Sequence, residues 1–149
     1  MKKEKLLIGR RDKADFPDLE LEEIEVKVDT GAHTSSIHCH DIEPVDIDGK
    51  PHVKFKLLDP EHPAYNHKEF CLPIFKSKFV KSSNGVKELR CIIRTRILIS
   101  KRPFLIELSL TDRSEMKYPV LLGRKAINGR FIVDVSLLND NYNNRKNAL

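Results

Sequence analysis

The chain has 149 residues, 33% of them charged, 40% hydrophobic, and a formal net charge of +5. That length suits one domain with a real core and is short for a two-lobed enzyme. No apolar run reaches a membrane span or a signal-peptide core, and Cys39, Cys71 and Cys91 are odd in number and far apart, as reduced thiols are, so a cytoplasmic protein with no membrane partner is expected.

In chain order, Met1 to Glu23 precedes the first clear strand and is expected as an N-terminal extension packed on or beside the domain, part of it available to extend a dimer interface. Ile24, Val26 and Val28 then alternate with Glu25, Lys27 and Asp29, the pattern of a half-buried strand that delivers a carboxylate at its end. Thr30 supplies a hydroxyl, Gly31 permits a turn that a Cβ would obstruct, and Ala32 keeps the neighbourhood small enough for a substrate backbone to approach. A plain turn, in which the Asp29 carboxylate only accepts from nearby N–H groups, fits the same three residues. Ile42 to Leu58 reads as two strands about Asp48-Gly49-Lys50, and Pro60 and Pro63 make 59–68 a surface loop.

Further along, 70–74 and 79–80 are short strand candidates, and Ser82-Ser83-Asn84-Gly85 is a turn. Leu89 to Ile99 and Phe104 to Leu110 alternate apolar with polar residues and predict a long antiparallel pair. Arg90, Arg94 and Arg96 share the polar face of the first, as a solvated face or as contacts for an acidic peptide; few exposed-looking aromatics are present to stack bases, which argues against nucleic acid. Val120-Leu121-Leu122 suits a strand buried on both faces; Gly123-Arg124 closes it, Lys125 to Asn128 allows one helical turn, and Gly129 can end it. The polar run 139–149 is expected as a mobile tail after a domain of residues 1–138.

An early strand ending in Asp-Thr-Gly and a late apolar strand followed by Gly-Arg and a short helix resemble the retropepsin-like aspartic peptidases. The blocks L-L-I-G-R-R-D, V-K-V-D-T-G-A-H-T-S-S, I-E-L-S-L-T-D-R and P-V-L-L-G-R-K-A-I-N-G-R-F, in that order, narrow the resemblance to the bacterial family named for ATP-dependent zinc proteases and also described as RimB-type retropepsin-like endopeptidases. The resemblance implies an all-β acid-protease barrel, one lobe per chain, with a short helix near the C-terminus. It implies Asp29, Thr30 and Gly31 as the catalytic loop and Arg124 as its structural support. Ala32 and the turn Ser83, Asn84 and Gly85, the tip of a closing flap or else a plain hairpin turn, are implied as substrate contacts. Members usually carry Arg after Asp-Thr-Gly-Ala where this chain has His33; the departure leaves the acid alone but removes any ion pair from that position. Association with ATP-grasp ligases that add glutamates to a ribosomal protein tail is also implied, which would bring in ATP through a partner.

One Asp-Thr-Gly supplies one carboxylate, whereas acid proteolysis needs two sharing a proton, so a two-fold homodimer acting on a peptide or protein substrate is expected. Neither a His-Glu-x-x-His metal motif nor a Gly-x-x-x-x-Gly-Lys phosphate loop occurs, and no cofactor or metal is expected. Two alternatives stay open: a non-catalytic peptide-binding domain on the same barrel, and a zinc-dependent hydrolase using His33, His38 and His40.

Overall fold

The computed structural model describes residues 4–81, 85–112, 118–139 and 141–142. In chain order they form β1 (Leu6–Ile8), β2 (Arg11–Phe16), β3 (Leu21–Val28), β4 (Ser35–Ile47), β5 (Lys50–Leu57), β6 (Glu69–Pro73), β7 (Lys76–Lys81), β8 (Lys87–Ile99), β9 (Arg102–Thr111), β10 (Val120–Leu122), α1 (Arg124–Ile127) and β11 (Phe131–Val133). The all-β reading with one short helix near the C-terminus holds.

The alternation in the long pair makes the hairpin β8–β9: Ile93, Ile97 and Ile99 of one strand and Ile106, Leu108 and Leu110 of the other are buried. Ser100 and Lys101, with φ of 54° and 63°, give the left-handed turn that matches strand twist. Hydrogen-bonded neighbours run β10-β3-β2-β8-β9-β4, and β10 pairs again with β4, so six strands close on themselves. Closure leaves no free edge and turns the inward residues of each strand onto one another. Phe16, Ile24, Val26, Ile37, Ile93, Leu108 and Val120 fill that interior; burying a side chain the size of Phe16 contributes about 2–3 kcal/mol.

Three appendages leave the barrel. β5 and β6 continue the sheet outward from β4, with Asp48 and Gly49 at φ of 52° and 79° in the tight turn expected there. β7 pairs with β8 into a hairpin whose tip, residues 82–84, lies outside the described residues, so the expected contacts Ser83 and Asn84 have no described place. β1 and β11 pair in parallel as a separate two-stranded ribbon.

Two boundaries differ from expectation. Within the stretch expected as an extension beside the barrel, β2 is instead one of the barrel's six strands, between β3 and β8, while β1 lies outside it. The inward residues of β2 are Asp12, Ala14 and Phe16, a set with too little apolar character to show as a strand face. The polar run after 138 also begins inside the fold. Asp12 is fully buried and accepts from Lys13 N (2.9 Å), Tyr142 N (3.1 Å), Asn141 N (3.1 Å) and Asn141 Nδ2 (3.0 Å). Asn141 Nδ2 also reaches Leu7 O at 2.9 Å. A buried carboxylate needs such donors, and the end of the chain supplies them; residues 143–149 lie outside the described ones.

Candidate active site

The barrel's closure builds the site. β3 and β4 are consecutive, joined by residues 29–34, yet they do not pair: β10 lies between them, parallel to β3 (Val26 opposite Val120) and antiparallel to β4 (Ile37 opposite Val120). The segment leaving β10 is thereby laid under the loop that carries Asp29. Asp29 N donates to Leu122 O (2.9 Å), Arg124 N to Ala32 O (2.8 Å) and Lys125 N to His33 O (3.0 Å). Gly123 N donates to the buried hydroxyl of Ser35 at 3.0 Å, and Arg124 Nη1 to Thr30 O at 2.9 Å.

Gly123 is required by this approach. A Cβ there would lie 2.8 Å from the carbonyl carbon of Thr34 and 2.9 Å from the oxygens of His33 and Thr34, all backbone atoms. Asp29 is half-buried, and Gly31 N donates to its Oδ1 at 3.1 Å, while Ala32 N returns to its carbonyl at 3.1 Å. The turn chemistry and the presentation of a carboxylate are thus one arrangement: the bond from Gly31 fixes the carboxylate's orientation without burying it. A Cβ on Gly31 would stand 3.3 Å from the same oxygen.

Thr30, Gly31 and Ala32 therefore share one short turn with Asp29, and Arg124 holds it from beneath. Gly85, at φ 84°, is exposed beyond the start of β8. Beside the loop lies a depression of about 490 Å³ lined by Thr30, His33, Arg124, Lys125, Ile127 and Asn128.

The histidines are dispersed. His33 is at the depression; His38 is buried, with Nε2 3.9 Å from Asp59 Oδ2; His40 sits between Leu58 O (2.9 Å) and Tyr65 OH (3.1 Å). No group of three or more His, Cys, Asp or Glu is placed to hold a metal ion among the described residues. Burial pushes the Cys39 thiol up to about 12, so it stays protonated. Of the three arginines read as a solvated face or as acidic-peptide contacts, Arg96 is committed to Asp18 (2.6 Å) and Arg90 to Glu88 (2.8 Å), and Arg94 lies over Phe75.

Sequence reasoning missed Ser35 and Glu107. Ser35 opens β4 and is silent without knowledge that Gly123 comes to it. Glu107 is an acid in an apolar-polar strand, which reads as a solvated position, yet its side chain is only 10% exposed and is paired with Lys76 and Lys125. Those ammonium groups hold its carboxyl below the usual carboxylate range.

The family described as "Retropepsin-like aspartic endopeptidase RimB" matches residues 7–140. The chain belongs to this RimB-like family. A crystal structure of Lpg0085 from Legionella pneumophila, a protein of unknown function, superposes with a TM-score of 0.74 at 25% identity, covering 93% of this chain and 99% of that one. Two curated relatives, each named "Probable alpha-L-glutamate ligase", come from Shewanella pealeana (37% identical over 140 residues, 91% of this chain) and Parasynechococcus marenigrum (34% over 134 residues, 87%). The chain spans only 30% and 28% of those two proteins, so the RimB-like unit is one part of a larger protein in each.

Proposed function

We propose that the chain is an aspartic peptidase whose working unit is a homodimer, with two Asp29 carboxylates meeting on the two-fold axis, and that it trims glutamate-rich protein tails. The observation that carries this is the Asp29 loop itself: a half-buried carboxylate at a strand end, oriented by Gly31 N and held from below at five points by Leu122, Gly123, Arg124 and Lys125. Preorganisation of this kind is what acid–base catalysis requires.

Two carboxylates in contact cannot both ionise, so the pair shares one proton. The ionised member takes a proton from a water held between them while the water oxygen attacks the scissile carbonyl carbon, and the protonated member donates to the carbonyl oxygen. The newly protonated member then passes its proton to the amide nitrogen as the other takes one back from the tetrahedral diol, the C–N bond breaks, and the acid and amine leave with the dyad again holding one proton. Thr30 hydroxyls bond across the axis. Ala32 contacts the peptide backbone. The occurrence of the same unit within proteins named glutamate ligases supports a glutamate-bearing substrate and a working association with such a ligase.

The test mixes wild-type and Asp29→Asn subunits after joint refolding and follows peptide cleavage at fixed total protein. If one site needs an acid from each subunit, an equal mixture keeps about one quarter of wild-type activity, the share of all-wild-type dimers. Activity of about one half means that each subunit works alone and overturns the shared site; activity in pure Asp29→Asn overturns the aspartic mechanism.

A further inference from the structure

Every ionisable side chain lining the depression beside the Asp29 loop is basic: His33, Arg124 and Lys125. A carboxylate stands just behind it. Glu107 pairs with Lys125 Nζ and, at 2.9 Å, with Lys76 Nζ. The Glu107 side chain is 10% exposed, whereas those of the two lysines are 46% and 48% exposed. The negative charge is therefore withdrawn into the protein while the ammonium groups remain at the surface. One carboxylate shared by two lysines leaves a surplus positive charge, and an ammonium has three donors, of which Glu107 needs only part.

The arrangement aims a cation. An unpaired lysine on a surface keeps its rotamer freedom and loses it only on binding, whereas one already tethered has less to lose. Arg90 and Arg96 are committed to Glu88 and Asp18 and offer less to an incoming anion.

We propose that Lys125, positioned by Glu107, is the residue that selects an acidic side chain of the bound peptide next to the scissile bond. The inference rests on the peptidase reading for what lies beside the depression; recognition of the carboxylate does not depend on turnover. With Arg124 bonded to Thr30 O and His33 at the rim, a glutamate side chain entering the depression meets Lys125 as an exposed ammonium already oriented by Glu107 and with donors to spare, and glutamine meets no matching demand.

Binding is measured by fluorescence anisotropy in the Asp29→Asn chain, which separates recognition from cleavage, with a labelled poly-glutamate peptide and its glutamine counterpart. Lys125→Met should weaken the glutamate peptide by about tenfold and leave the glutamine peptide unchanged, with Lys125→Arg recovering most of the loss. Lys78→Met, a cation on the β7 hairpin outside the depression, should change either affinity by less than about twofold. Glu107→Gln should narrow the ratio of the two affinities although it raises the net positive charge; a nonspecific field would instead tighten glutamate binding. Equal losses on both peptides in Lys125→Met, or a loss no greater than that of Lys78→Met, overturn the assignment, and tighter glutamate binding in Glu107→Gln overturns the positioning role. Wild type that shows the Lys125-dependent preference yet cleaves nothing sinks the peptidase reading alone; wild type that cleaves both peptides equally, with no such preference in binding, sinks this inference alone.

Discussion

Gly123→Ala tests whether the Asp29 loop rests on the backbone beneath it. The added methyl would stand 2.8 Å from Thr34 C and 2.9 Å from two loop carbonyl oxygens, and none of these atoms can rotate away as a flexible side-chain end could. Overpacking of this kind costs about 1–3 kcal/mol. Relief requires the loop and β10 to separate, which stretches the buried bond from Gly123 N to Ser35 Oγ and adds about 1–3 kcal/mol if it is lost. The expected destabilisation is therefore about 2–6 kcal/mol, or a fall in Tm of roughly 4–24 °C for a chain of this size. Urea unfolding at one fixed protein concentration reads it as a lower midpoint with unchanged slope. Ser35→Ala removes only the acceptor and should cost about 1–3 kcal/mol, and the double variant should fall short of the sum because both changes act on one N–H. Gly123→Ala within about 0.5 kcal/mol of wild type would show that the loop and β10 do not make these close contacts in solution.

Asp12→Ala strips the acceptor from Asn141 and Tyr142 and should destabilise by about 3 kcal/mol or more. Truncation after Leu138 should cost a similar amount and add little to Asp12→Ala; a truncated chain as stable as wild type refutes the anchoring. For Glu107, the folded carboxyl is held below its ordinary range, so its ion pairs stabilise above that range and are lost as pH falls through the folded value. The stability gap between wild type and Glu107→Gln should thus be widest near neutrality and shrink in acid, and a gap independent of pH in a titrated set of melts would contradict the pairing.

What was legible in the amino-acid sequence was whatever repeats along a strand. Ile24, Val26 and Val28 announce β3, the doubly apolar Val120-Leu121-Leu122 announces β10, and Gly123-Arg124 marks the turn between it and α1. The long hairpin was plain from its alternation, and its observed bounds extend the expected ones by only a few residues. Polar side chains that serve the interior were not legible. Asp12 breaks the apolar face of β2, and it does so because its donors arrive from Asn141 and Tyr142, at the far end of the chain. Ser35 and Glu107 are of the same kind: each is explained by a partner from a different element, Gly123 in one case and Lys76 with Lys125 in the other. The three arginines on β8 were visible as a stripe, but whether a cation is available or already committed depends on neighbours such as Asp18 that no local pattern reveals.

The insertion of β10 between β3 and β4 bears on the order in which the molecule is made. Thr30 and Arg124, which meet beneath the loop, are 94 positions apart in the chain. As a ribosome extends the polypeptide, the carboxylate loop emerges well before the segment leaving β10 and has no floor to rest on until that segment has followed. Contacts of such long range are entropically costly to close and slow to form. The nascent chain therefore carries its Asp-Thr-Gly unsupported until the segment leaving β10 has been made, and the oriented form of the Asp29 loop is a late product of folding rather than a local property of the Asp-Thr-Gly segment.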